Sequence, residues 1–179
     1  ERIREVSYQM DCFLPEDSRF LFVRVRLANA TDREVPVYWW SNIAVNETED
    51  TRVLAPAAEA FCFDYTRKMS KREVPMYHGV DGSYTTRISR AMDLFFDIPA
   101  SRRKWETALD GKGEGLIQTS TDRLQGRKLF LWGTNPGGRH WQEFLSQPGE
   151  AYLELQAGLA KTQMEHLPMP AGDRWEWLE

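Results

Sequence analysis

Glu154 and Gln156 set a carboxylate and an amide two positions apart within Tyr152-Leu153-Glu154-Leu155-Gln156-Ala157-Gly158-Leu159. A carboxylate can take a proton from a hydroxyl, and an amide both donates and accepts, so the pair suits work on a polyol. Whether they act together depends on the element that carries them. A helix is one option, because Leu153, Ala157, Ala160 and Met164 follow three-and-four spacing. The strand pattern is stricter: Leu153, Leu155, Ala157 and Leu159 alternate without a miss against Glu154, Gln156 and Gly158. A glycine inside a helix costs about 1 kcal/mol relative to alanine, which also favours the strand. On a strand the two side chains share one face, roughly 6–7 Å apart.

A second stretch, Val35 to Glu47, combines flat aromatic surface with amides. As one strand it points Val35, Val37, Trp39, Ser41, Ile43 and Val45 one way, and Tyr38, Trp40, Asn42, Ala44 and Asn46 the other. Sugar rings present apolar C–H faces and a rim of hydroxyls, so Tyr38, Trp40 and Asn42 are candidate sugar contacts. An aromatic core face with Asn42 bonded to backbone accounts for the same pattern. Trp132 closes an apolar run, and His140 follows Gly137-Gly138, where glycines let a ligand approach the backbone. A packed turn is the alternative there. His78, in Tyr77-His78-Gly79, is a further candidate acid.

A second carboxylate beside Glu154 would suit glycoside hydrolysis, at about 5 Å or about 6.5–9.5 Å according to mechanism. Glu165, Asp81, Asp93 and Asp97 are all eligible. Glu47 to Thr51 reads as a solvated acidic turn without calcium-loop spacing. The sequence carries no phosphate loop, Ser-His-Asp motif, Cys-His zinc pattern or dinucleotide fingerprint, so neither cofactor nor metal is expected.

The elements that must position these residues are short strands. The 179-residue chain is 41% hydrophobic and 28% charged, enough for one globular domain with a real core. Its net charge of −4 and lack of basic runs give no general attraction for nucleic acid, and its uncharged stretches are too short and polar for a membrane span. No signal peptide is visible, and a start at Glu1 fits a piece excised from a longer chain. Two cysteines, Cys12 and Cys62, read as buried reduced thiols and favour a reducing, cytoplasmic setting. Strands are expected at Arg2–Leu14 and Phe20–Asn29, paired as a hairpin, then at Val35–Val45, Thr51–Leu54, Ala60–Tyr65 and Met92–Ile98. Others are expected at Gly115–Thr121, Lys128–Trp132, Tyr152–Leu159 and Trp175–Leu178, with short helices at Arg102–Leu109 and Arg139–Leu145. The class is all-β, an antiparallel sandwich.

The two chemical stretches together resemble the galactose-mutarotase-like (aldose 1-epimerase) supersandwich. Asn29-Ala30-Thr31, then Tyr38-Trp39-Trp40-Ser41-Asn42-Ile43, corresponds to its Asn-x-Thr/Ser turn and aromatic motif. Glu154-Leu155-Gln156 corresponds to its late Glu-x-Gln, whose glutamate is the catalytic base. The resemblance implies a fold of that type, here an incomplete portion of it. The family's acid histidine belongs in the aromatic motif, and no histidine stands between Val35 and Val45. The whole chain also resembles an uncharacterised bacterial domain family often found beside tetratricopeptide repeats. That pattern is carried by YWWSNIAV, TEDTRV, GRKLFLWG and YLELQAGLAKTQMEHLPMPAG, and it implies no established reaction.

The leading expectation is a carbohydrate-recognition domain, with Tyr38, Trp40 and Trp132 stacking and Glu154 and Gln156 bonding hydroxyls. A carbohydrate-active enzyme with Glu154 as acid or base, an epimerase or a glycosidase, is the alternative. A protein-interaction scaffold beside a helical-repeat region is the third reading.

Overall fold

A computed structural model describes residues 5–63 and 68–179. The strands, in chain order, are β1 (Val6–Phe13), β2 (Phe22–Asn29), β3 (Val35–Val37), β4 (Trp40–Asn46), β5 (Arg52–Leu54), β6 (Glu59–Phe63), β7 (Met69–Glu73) and β8 (Met76–Tyr77). They continue as β9 (Val80–Asp81), β10 (Met92–Phe96), β11 (Trp105–Leu109), β12 (Gly115–Thr119), β13 (Gly126–Leu131), β14 (Tyr152–Gly158), β15 (Leu167–Met169) and β16 (Arg174–Leu178). One α-helix, α1 (Pro136–Leu145), lies between β13 and β14.

The largest sheet has six strands in the order β4-β14-β13-β10-β6-β7, every pair antiparallel. Two three-stranded sheets, β12-β11-β5 and β1-β2-β16, supply the opposing layer. Alternation on β14 sends Leu153, Leu155 and Ala157 inward, all fully buried, and leaves Glu154 and Gln156 on the outer face. Leu129 and Leu131 on β13, Leu94 on β10, and Val53 and Ala108 from the opposing sheet complete one apolar core. Val25, Leu27, Trp175 and Trp177 pack with Val35, Val37, Ala157 and Met169 in a second. A buried polar group is also present: Arg127 is fully buried and donates to the carbonyls of Lys104 and Gly126 and to Ser120 Oγ, and Glu106 is fully buried as well.

The all-β antiparallel sandwich and the β1–β2 hairpin match the sequence expectation, and α1 contains the expected Arg139–Leu145 helix. Residues 2–4 and 64–65 of two expected strands lie outside the described residues. Several details are corrected. Arg102–Leu109 is not helical; its second half is β11, which pairs on both sides with β12 and β5. The expected Val35–Val45 strand breaks at Tyr38-Trp39, so that β3 pairs with β15 and β4 with β14. Cys12 is exposed, because β1 is an edge strand of which only Val6 is buried; neither cysteine forms a disulfide. Glu47 is buried, not solvated, and accepts from Gln142 Nε2 at 3.0 Å; burial raises its pKa against the lowering effect of the neighbouring Thr85 hydroxyl and Gln142 amide.

Candidate functional site

The outer face of the large sheet brings together side chains from four strands. On β14, Glu154 stands opposite Ala44 of β4 and Phe130 of β13, and Gln156 stands opposite Asn42 and Lys128. On β10, Asp93 stands opposite Phe130, and Phe95 opposite Lys128. The sheet therefore sets Asn42, Gln156, Lys128 and Phe95 in one row, with Glu154, Phe130 and Asp93 in the next.

One hydrogen-bonded chain links the polar members. Lys128 Nζ lies 2.7 Å from Asp93 Oδ1 and donates to Gln163 Oε1 at 2.6 Å. Gln163 Nε2 donates to Gln156 Oε1 at 2.7 Å, and Gln156 Nε2 donates to Glu154 Oε2 at 2.8 Å. Asn42 Nδ2 donates to the same oxygen at 2.8 Å. An ammonium has only donors, so Gln163 must turn its oxygen toward Lys128 and its NH₂ toward Gln156. Gln156 is oriented in turn. Glu154 consequently meets only donors, the pattern that suits a carboxylate, and its Oε1 stays outside these bonds.

Lys128 is nearly as buried as a core residue, its side chain 5% exposed. Its ammonium also lies 5.5 Å from the Phe95 ring centroid and 5.6 Å from that of Phe130, within cation–π range. Trp40 stays on the same face but lies down on it. A Cβ built on Gly158 would meet its indole at 2.2 Å, and one on Gly126 at 2.4 Å. Both glycines are thus the floor on which Trp40 rests, edge-on to Phe95 at 5.9 Å. Trp132 continues the Lys128–Phe130 alternation, edge-on to Phe130 at 4.7 Å and to Tyr152 at 6.2 Å. Its indole N–H is buried and meets no acceptor among the described residues.

Tyr38 is half exposed beside Trp39, in the break between β3 and β4; partial burial raises its phenol pKa, and the Asp93 charge adds to it. The structure does not bring His78 to Glu154. It occupies the β8–β9 turn with φ +47°, and its Nε2 lies 3.1 Å from Arg72 Nη1. That turn follows β7, which is four strand spacings, about 19 Å, from β14. His140 is exposed on α1 and touches Trp141. No hydrogen bond joins any of the three histidines to Glu154 among the described residues. Lys128 and Gln163 were missed from sequence, and Asp93 stood only among several eligible carboxylates. The signal available was the alternation of Lys128 with Leu129 and Leu131.

Among the described residues no group of three or more His, Cys, Asp or Glu side chains is placed to hold a metal ion, and no helix is long and apolar enough to cross a membrane.

Three solved structures share the fold. A TPR-domain containing protein from Parabacteroides distasonis matches 99% of the chain and 30% of its own length, with a TM-score of 0.82 and 18% identity. An Escherichia coli protein named for aldose 1-epimerase matches 88% of the chain and 54% of its own, with a TM-score of 0.61 and 10% identity. A galactose mutarotase-like protein from Clostridium acetobutylicum matches 97% and 60%, with a TM-score of 0.59 and 9% identity. The chain thus spans less than two thirds of each. At the level of sequence, residues 2–170 match a family described as a domain of unknown function, DUF5107.

Proposed function

The chain belongs to the DUF5107 family of domains of unknown function, and from that premise we propose that it is a carbohydrate-binding domain whose ligand sits over Glu154. The observation that carries this reading is the directed chain from Lys128 to Glu154. It orients three amides, commits Glu154 Oε2 to Asn42 and Gln156, and leaves Oε1 to accept from a hydroxyl. Phe130, Trp132 and Tyr152 stand beside it as apolar surface for a sugar ring. A fold shared with mutarotase-like proteins agrees with this use of the face.

A catalytic reading of the same site takes Glu154 as the base, with Asp93 two strand spacings away, about 10 Å between backbones. Asp93 is engaged by Lys128, and among the described residues no histidine is bonded to Glu154 to serve as acid, so binding is the reading preferred. In a parent chain, a tetratricopeptide region is the neighbour this reading expects, since the Parabacteroides match is a TPR-domain containing protein.

Calorimetric titration with a panel of monosaccharides and oligosaccharides tests the proposal. Ring stacking contributes about 0.5–1.5 kcal/mol beyond burial, so affinity for a single sugar near the millimolar range is expected. Glu154→Ala should remove the heat. Binding unchanged in that variant would take Glu154 out of the site.

A further inference from the structure

α1 is attached to the domain in an unusual way. It buries only Gly138 and Gln142. Gly138 packs on the carbonyls of Trp132 and Gly133, where a Cβ would come within 2.3 Å of either, and its amide is capped by Asn135 Oδ1 at 2.8 Å. Gln142 is tied to Glu47 at 3.0 Å. The helix is thus pinned by backbone and polar contacts, while Trp141, Phe144 and Leu145 are left 46%, 72% and 49% exposed. These three fall at i, i+3 and i+4, the spacing of a single stripe. A surface helix ordinarily turns that stripe toward the core; this one turns it outward.

The stripe is continuous with the Glu154 site. Phe130, the register partner of Glu154, contacts Trp132 at 4.7 Å. Trp132 stacks on Trp141 at 6.2 Å with the rings 20° from parallel, and Trp141 contacts Phe144 at 6.1 Å. An aromatic path therefore leads from beside the carboxylate out over the helix. Arg139, His140 and Glu143 lie exposed along the same helix and offer hydrogen-bonding groups beside the rings.

We propose that this path is an extension of the sugar site, and that the ligand class is an extended oligosaccharide rather than a single sugar. The inference rests on the carbohydrate reading of Glu154. An oligosaccharide repeats an apolar ring face with hydroxyls along its edge, which matches aromatic rings in series with polar side chains beside them. Continuity with the Glu154 face favours this occupant over a protein segment, for which an isolated helix stripe would serve as well.

The test is calorimetry of the whole 179-residue chain with gluco-, galacto-, manno- and xylo-oligosaccharides of increasing length, beginning at the monosaccharide. Affinity in the preferred series should rise about tenfold or more between one and three units, as further rings stack. In the Trp141→Ala/Phe144→Ala variant, monosaccharide affinity should stay as in the wild type and the gain with length should vanish. These side chains are exposed, so unchanged circular dichroism is expected. Monosaccharide binding with no gain in length, or a gain kept by the variant, overturns the extension while leaving the Glu154 site intact. If no sugar of any length binds, the Glu154 reading falls and the extension with it. A wild type that self-associates and is made monomeric by the double variant would identify the stripe as a protein contact and overturn the proposal.

Discussion

Replacing Lys128 by methionine keeps the aliphatic stem and removes the charge that orients the site. The variant loses an ion pair to Asp93 at 2.7 Å, a charged hydrogen bond to Gln163 at 2.6 Å and two cation–π contacts. Breaking a buried pair by deleting one partner costs about 3–5 kcal/mol, because the other charge is left desolvated and unpaired. The Asp93 side chain is 22% exposed, so water recovers part of that cost, and a loss of about 2–3 kcal/mol is expected. For a domain of this size that corresponds to a fall in Tm of about 5–10 °C. Urea unfolding gives the free energy and differential scanning calorimetry the Tm. Asp93→Asn in the Lys128→Met background should recover part of the loss, since neither member then holds an unpaired charge. Sugar affinity should fall in both variants, because Gln163 loses the ammonium that holds its oxygen and the chain to Glu154 is then anchored at one end only. A loss below about 0.5 kcal/mol, the scale of ordinary surface substitutions, or strictly additive single and double variants, would refute the reasoning.

Glu106 is fully buried, with backbone amides and Arg127 nearby but neither carboxyl oxygen in a well-formed hydrogen bond, and burial raises its pKa well above the ordinary 4.5. The folded state then binds the extra proton, so stability falls as pH rises above the ordinary value, by at most about 1.4 kcal/mol per pH unit. Glu106→Gln should flatten that slope in urea titrations and be the more stable protein at neutral pH; an unchanged slope contradicts it. Asn29 is buried and its amide donates to the carbonyls of Arg33, Met169 and Pro170. Asn29→Ala should cost about 2–3 kcal/mol in the same assay, since three carbonyls lose a donor, and a cost under about 0.5 kcal/mol would show that water replaces it. Gly158→Ala should lift Trp40 off the sheet, seen as a changed tryptophan emission and near-ultraviolet dichroism; identical spectra would mean that the floor can yield.

The parts of the site legible in sequence were those written as alternation. Period two on Tyr152–Gly158 placed Glu154 and Gln156 on one face, and the same rule on β4 placed Trp40 and Asn42 beside them. Gly158, read first as a residue unfavourable to helix, has a second reason that only the packing reveals, since Trp40 lies across it. Lys128 and Gln163 stayed hidden because a lysine between Arg127 and Leu129 reads as a solvated outward residue, and its partners stand 35 positions away or on another strand. Helical periodicity suggests a short helix at Arg102–Leu109; pairing on both flanks of β11 outweighs it, and Trp105 and Thr107 favour a strand. The two-stranded β3–β15 ribbon was illegible for a different reason. Pro36 and Pro168 face each other across it, and proline argues against a central strand while remaining compatible with an edge.

The most direct test of the central claim is a calorimetric comparison of wild type, Glu154→Ala and Glu154→Gln against the sugar that binds best in a monosaccharide and oligosaccharide panel. Wild type should bind, Glu154→Ala should give no measurable heat, and the nearly isosteric Glu154→Gln should keep the fold and part of the affinity, because an amide oxygen can still accept from a hydroxyl. Equal affinity in all three proteins, or no heat from any sugar with wild type at millimolar concentration, would contradict a carbohydrate site at Glu154.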